Sequence, residues 1–301
     1  MKRIHVVVFL CMALITSPGF AQTSGIQELE AAIRKECSRS PGTFAVALRE
    51  LDRPGRTLLI HEKESFHAAS TMKTPVMAEV YRQAKTGKFR MEDSLVVKNE
   101  FKSIVDGSPF SLDIGDDSEE ALYKKIGKKA AIYDLVYDMI IYSSNLATNI
   151  VIELVDAREV TRMLRTLGIM DMQVLRGVED TKAFQQGKNN TTTAYDLMLL
   201  FEHIAKGKPA GKKAGKAMID ILLDQKFKDA IPAKLPPDVR VAHKTGWITR
   251  VRHDSGIVFL PDGRRYVLVL LSKQWESDEL ATEIMANVSR MIYDFIADTP
   301  Q

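Results

Sequence analysis

The chain has 301 residues, 45% of them hydrophobic and 27% charged, which suffices for one large core or two modest ones and excludes a disordered polyelectrolyte. Its 42 basic and 39 acidic residues nearly cancel, so charge makes no case for nucleic acid or an anionic membrane as a partner.

Residues 1–21 read as a secretory signal. Lys2 and Arg3 make a positive start, Val6 to Ile15 an apolar run, and Ser17, Pro18 and Gly19 a break. Gly19-Phe20-Ala21 offers small residues at the cleavage positions. The apolar run is short for a bilayer span, and an uncleaved anchor is the alternative. Cleavage removes Lys2 and Arg3 and no acid, leaving 40 basic residues against 39 acidic. Cys37 is then the one cysteine left, so no internal disulfide is expected. No later stretch reaches about 18 uninterrupted apolar residues. The expectation is a periplasmic or secreted protein, soluble, with no membrane segment after cleavage.

Ile26 to Cys37 has helical spacing. Thr43 to Leu51 and Thr57 to His61 are strand-like, joined by the turn Arg53-Pro54-Gly55. The pattern then becomes helical. Ser70 to Ala84 is a helix closed by Gly87, and Ala131 to Val155 holds one or two more. Val160 to Leu167 is short. Thr193 to Ala205 opens on Thr193 and Asp196, a capping box with Asp in place of Glu. A last helix of this run lies near Ala217 to Leu223. After Pro236-Pro237 strands return at Val239 to His243, Ser255 to Leu260 and Tyr266 to Leu271, the last two joined by Pro261-Asp262-Gly263. Glu279 to Ala297 closes the chain as an amphipathic helix. The order predicts an α/β fold of α+β type: an antiparallel sheet built from both chain ends, flanked by terminal helices, with an inserted all-helical region. The expected division is residues 22–69 with 236–301 for the sheet and 70–235 for the helices.

Ser70-x-x-Lys73 begins the helical region. The helix start favours a developing negative charge, and Lys73 lies one turn on, on the same face. Such a motif arises roughly once by chance in a chain of this size, and a helix cap beside a solvated lysine is the plainer reading. A serine nucleophile needs a base. An ordinary lysine, near pKa 10.4, is neutral in only about one molecule in 2,500 at pH 7. Burial or a second cation has to lower that value, so a second lysine and a proton relay are expected elsewhere. Ser143-x-Asn145 on a helical segment and Lys244-Thr245-Gly246 at the end of a strand fit. Lys85-Thr86-Gly87 repeats the tripeptide, but at a helix C-terminus, where lysine and glycine have structural reasons to be.

Ser70-x-x-Lys73, Ser143-x-Asn145 and Lys244-Thr245-Gly246, in that order, resemble the active-site set of class A serine β-lactamases and penicillin-binding proteins. "SSNLATN" and "NNTTTAYDL" are similar to further stretches of that family, and the resemblance covers nearly the whole chain after residue 21. It implies that Ser70 attacks a lactam or peptide carbonyl while the backbone N–H groups of Ser70 and Trp247 hold the oxyanion. Lys73 would take or relay the serine proton, and Ser143 would pass one to the leaving nitrogen. Asn145 would hold the substrate's side-chain amide. Lys244 and Thr245, with Gly246 after them, would receive its carboxylate, and the charge of Lys244 would help depress the pKa of Lys73.

Two departures stand out. Ser144 replaces the aspartate of the family's Ser-Asp-Asn. Glu179 lies near the interval of the family's water-activating glutamate, but "EDTKAFQQ" lacks the proline-x-leucine-asparagine that follows it. Gln185, Gln186, Asn189 or Asn190 could fill the missing asparagine's role. Asp180 is a second carboxylate candidate, and an exposed Glu179 paired with Arg176 or Lys182 is the structural alternative. A Glu179 that activates water implies a β-lactamase. Otherwise a D-alanyl-D-alanine carboxypeptidase or a penicillin-binding or sensing protein with slow deacylation fits. Arg250, Arg252 and His253 are candidates for the second cation of the carboxylate site, with alternation placing both arginines on one face. "VDGSPFSLD", in a segment longer than the family's, could edge the active-site mouth. No metal spacing and no Gly-x-Ser-x-Gly occurs, so no cofactor is expected. "AKGKPAGKKAGK" reads as a solvated basic loop. The expected partner is a small-molecule β-lactam or a peptidoglycan peptide, and the expected state a monomer.

Overall fold

A computed structural model describes residues 18–53 and 55–299, with side chains from Gly25 onward. Residues 1–17 of the expected signal, and Pro54 of the first turn, lie outside the described residues.

Five strands form one antiparallel sheet: β1 (Thr43–Glu50), β2 (Thr57–Ile60), β3 (Arg240–Ile248), β4 (Val251–Phe259) and β5 (Arg265–Lys273). The order is β2-β1-β5-β4-β3, so the first strand pairs with the last. Thr43 lies opposite Lys273 and Glu50 opposite Tyr266. Alternation along these strands fills two cores. Ala45, Ala47, Val267 and Val269 face one way, and Val46, Leu48, Leu268 and Leu270 the other. Burial of both faces explains why these strands read as nearly continuous apolar runs.

The second face is covered by the terminal helices α1 (Pro18–Cys37) and α9 (Asp278–Asp298). Leu29 and Ile33 of α1 meet Ile284, Val288 and Ile292 of α9 there, each set at four-residue spacing. The first face carries the inserted helices: α2 (Lys73–Lys85), α3 (Ile132–Ile141), α4 (Asn145–Val155), α5 (Ala157–Thr166), the short α6 (Thr181–Gln185), α7 (Ala194–Ala205) and α8 (Lys212–Leu223). No described helix is long and apolar enough to cross a membrane.

Several local expectations change. Ser70 lies in a 3-10 turn, Ala69–Met72, and the α-helix starts only at Lys73. Strand β3 continues to Ile248, so Lys244-Thr245-Gly246 lies within it rather than at its end. Thr193 caps α7 through Asp196 N, but Asp196 turns away to accept from Asp171 N and Met172 N, so the capping box is half formed. Lys212 to Lys216 of the expected basic loop begin α8.

Candidate active site

Position along β3 decides what meets the Ser70 turn. Lys244 and Gly246 share the strand face of Ala242, which points at the inserted helices. A Cβ on Gly246 would come within 3.2 Å of Ser70 N and Thr71 N, so a side chain there would have to push the turn back by a few tenths of an ångström. The turn is braced from behind. Ala69 N donates to His67 Nδ1, Thr71 Oγ1 to Ala68 O, and His253 Nε2 to His67 O. Ala69 is forced to φ +45, Ser143 to +60 and Glu179 to +61. Three non-glycine residues in the left-handed region around one centre mark it as a place where packing outweighs backbone preference.

Lys73 and Lys244 are both 0% exposed. Lys73 Nζ donates to Ser143 O at 2.5 Å, Ser143 Oγ at 3.2 Å and Asn145 Oδ1 at 2.8 Å. Lys244 Nζ donates to Ser143 Oγ at 3.0 Å and to Thr245 O at 2.9 Å. The two amines therefore converge on the Ser143 hydroxyl. Ser70 Oγ has no protein hydrogen-bond partner among the described residues. Burial pulls Lys73 down to about 7, against the attraction of Asp117 and Glu179. Burial also holds Lys244 well below its ordinary value, with the charge of Lys73 as the next cause. Desolvation is the first cause for both amines, and the repulsion between the two charges disfavours protonating both at once.

Glu179 reaches the same centre. Its Oε1 accepts from Asn145 Nδ2 at 2.6 Å, so one amide bridges Lys73 and the carboxylate. Burial raises the Glu179 pKa, opposed by the Asn145 hydrogen bond. The pairings offered as alternatives do not form: Lys182 bonds Asp106, and Arg176 holds Lys188 O, Gly177 O and Asn189 Oδ1. Asn149, one helical turn beyond Asn145, clamps Val178 by accepting from its N–H and donating to its carbonyl. Neither Asn189 nor Asn190 is hydrogen-bonded to Glu179. Asn190 ties Leu175 and Arg176 instead, and Gln185 and Gln186 are exposed. Asp180 is structural: it caps α6 and accepts from Ser103 Oγ and Ile104 N.

Ser70, Ser143, Thr245, Gly246 and Trp247 line a cleft of about 320 Å³, with Ser118, Phe227, Asp229, Arg252 and Asp278. Trp247 is 61% exposed at its rim. Of the three cation candidates Arg252 is the one in the cleft, bonded to Asp229 and, at 2.9 Å, to Asp278. Arg250 sits in the β3–β4 turn at φ +58 and donates to Trp275 O and Gln274 O, so the expected shared face with Arg252 is absent. His253 is buried behind the Ser70 turn and pulled down to about 4 by burial, which keeps it neutral. A larger hollow, about 480 Å³, lies behind the Glu179 loop and is lined by Asn149, Arg176 and Asp180 but by neither Ser70 nor the two lysines.

The sequence matches the profile of the beta-lactamase enzyme family over residues 28–296. The chain belongs to the beta-lactamase enzyme family. A Bacteroides uniformis protein described as a beta-lactamase is 39% identical over 77 residues, 23% of this chain and 25% of that protein, so the match spans about a quarter of that relative's length. The crystal structure of a beta-lactamase from Sphaerobacter thermophilus superposes with a TM-score of 0.76 at 24% identity, over 92% of this chain and 99% of that one. A mutant of PBP-A, solved as an acyl-enzyme complex with penicillin G, gives 0.75 at 26% identity over 92% and 97%.

Beside the β-lactamase pattern, one residue of this site went unread in the sequence. Asp117 belongs to the long segment before α3, and its carboxylate lies at the N-terminus of α4. No motif marks it. An acidic residue in an over-long segment, set against a motif short of one acid, was the available signal. "VDGSPFSLD" packs on the Glu179 loop through Asp106 and Ser108, both bonded to Lys182. It is the following stretch, with Asp117 and Ser118, that reaches the site.

Proposed function

We propose that this protein opens β-lactam rings through a Ser70 acyl-enzyme in the class A manner. Ser70 Oγ bonds to the lactam carbonyl carbon, and its proton passes to the neutral amine of Lys73. With a pKa near 7 that form is well populated at neutral pH. Ser70 and Lys73 share no direct hydrogen bond, so the proton leaves as Nζ turns away from Ser143 or travels through one water. As the C–N bond breaks, Ser143 Oγ, held by both lysines, gives its proton to the leaving nitrogen and regains one from them. Glu179 then takes a proton from the water whose oxygen bonds to the ester carbon. As the bond to Ser70 Oγ breaks, that oxygen receives the proton back through the Lys73 and Asn145 cluster, which leaves Ser70 and Glu179 in their starting forms. The observation that carries this reading is the Asn145 amide, bonded to Lys73 on one side and to Glu179 on the other, because it puts the acylating and deacylating groups in one cluster.

A second reading has its own support. Among the described residues Asn145 is the one asparagine hydrogen-bonded to Glu179, and a similar protein, the PBP-A mutant, was captured as a penicillin acyl-enzyme. On that reading deacylation is slow and a peptidoglycan peptide is the natural substrate. A chromogenic cephalosporin separates the two. Sustained turnover, lost in Ser70→Ala and converted to a single burst in Glu179→Gln, is the expected result. A single stoichiometric burst from the unaltered protein would establish the slow-deacylating reading instead. We further propose export, with the mature chain starting at Gln22, which N-terminal sequencing of the secreted or periplasmic protein checks.

A further inference from the structure

We propose that Asp117, 28 residues before Asn145, supplies from outside the motif the carboxylate that class A enzymes carry between the serine and the asparagine. The inference rests on the acyl-enzyme reading above. Helix α4 begins at Asn145, and its first N–H groups have no partner within the helix. Asp117 Oδ1 accepts from Asn145 N at 2.9 Å and Oδ2 from Leu146 N at 2.8 Å. Ser144 Oγ takes Ala147 N at 3.2 Å, and Thr148 N closes the first helical bond to Ser144 O. Every donor of the first turn is thereby assigned. The single oxygen of Ser144 accepts one of them, and Asp117 takes the two that it cannot. Tyr123 OH donates to Asp117 Oδ2 at 3.1 Å and holds the carboxylate in place.

What is capped is the base of the site. Asn145, whose backbone Asp117 grips, carries the amide that joins Lys73 to Glu179, and Ser143 precedes the cap in a left-handed conformation. Asp117 is a positioning residue: it touches no reacting atom and fixes those that do. Its charge also faces Lys73, together with Glu179 and, on the cationic side, Lys244.

The test is a pair of substitutions whose effects depend on each other. In Asp117→Ala, covalent labelling of Ser70 by a fluorescent penicillin slows by about 100-fold, the scale of a catalytic group displaced by about 1 Å. Adding Ser144→Asp restores the carboxylate at the motif position, and labelling returns to within roughly tenfold of the unaltered rate, with the thermal midpoint recovering in parallel. Ser144→Asp alone slows labelling, because two carboxylates then crowd one helix end. Asp117→Asn loses the charge and one of the two accepting oxygens, since an amide nitrogen cannot accept from an N–H. Labelling slows, and the ascending limb of its pH profile moves to lower pH because Lys73 loses the attraction of the carboxylate. The proposal is overturned if Asp117→Ala labels at the unaltered rate, or if the double variant recovers neither rate nor midpoint. Should Asp117→Ala not fold, recovery of folding in the double variant supports the proposal and its absence overturns it. A protein that takes no label in its unaltered form defeats the acyl-enzyme reading, while the thermal midpoints still decide the role of Asp117.

Discussion

Lys73 is the residue on which acylation turns, and its environment sets a pH for it. The side chain is wholly enclosed, so desolvation works against the ammonium and leaves its pKa about 7. Below that value the proton stays on Nζ and no lone pair is free to receive one from Ser70. Above it the amine is neutral and able. The acylation rate should therefore climb through about pH 7 and level off above it, as single-turnover labelling across a pH series would show. A limb near pH 10 would mean that Lys73 is hydrated and not enclosed. Glu179 has a raised pKa, so deacylation should begin its own rise above the range of an ordinary exposed glutamate.

The Glu179 loop and strand β3 differ in how far each could be read from residue order. Ser70, Lys73, Ser143, Asn145 and Lys244 could be picked out because three short motifs stand in an order that resembles one family's, and a serine nucleophile calls for a lowered lysine and a relay. The supports of the Glu179 loop were not. They come from Asn149 on α4 and Asn190 near α7, which nothing local to "VEDTKAFQQ" announces. The extent of β3 was hidden because Lys244-Thr245-Gly246 interrupts the apolar alternation while the backbone continues its ladder with β4. Periodicity does not separate an α-helix from a 3-10 turn over four residues, so the sequence predicts helix at Ser70 where the structure has the turn. The loop yields a prediction at its own scale. A Cβ on Gly177 would lie 2.2 Å from Asn149 Oδ1, so Gly177→Ala has to displace the Asn149 amide or the loop it holds, and the clamp on Val178 is expected to loosen. Hydrolysis of the acyl-enzyme should slow by about tenfold or more while labelling of Ser70 is little changed. Equal slowing of both steps would show that the clamp serves the whole site.

Across the whole molecule, the sheet parts two apolar cores, and only one of them touches the chemistry. Leu268 faces the terminal helices, and its truncation to Ala should cost about 2–5 kcal/mol of stability by leaving a cavity. Denaturant unfolding would measure the loss, and acylation of the fraction still folded should keep its rate. A changed rate would mean that the two sides of the sheet are mechanically coupled. The antiparallel sheet from both chain ends was foreseeable, since strands cluster at the termini and helices between them. The arginine end of the cleft was foreseeable as a choice among Arg250, Arg252 and His253, of which Arg252 lines the cleft, but its two acid partners were not, and they bear on how an anionic ligand would arrive. Arg252 already grips Asp229 and Asp278. An incoming carboxylate does not fill an empty socket there. A carboxylate that docked there would compete with Asp229 and Asp278 for the same guanidinium, so docking at that end would be a trade of one anion for another, with little net charge gained and correspondingly little for dissolved salt to screen.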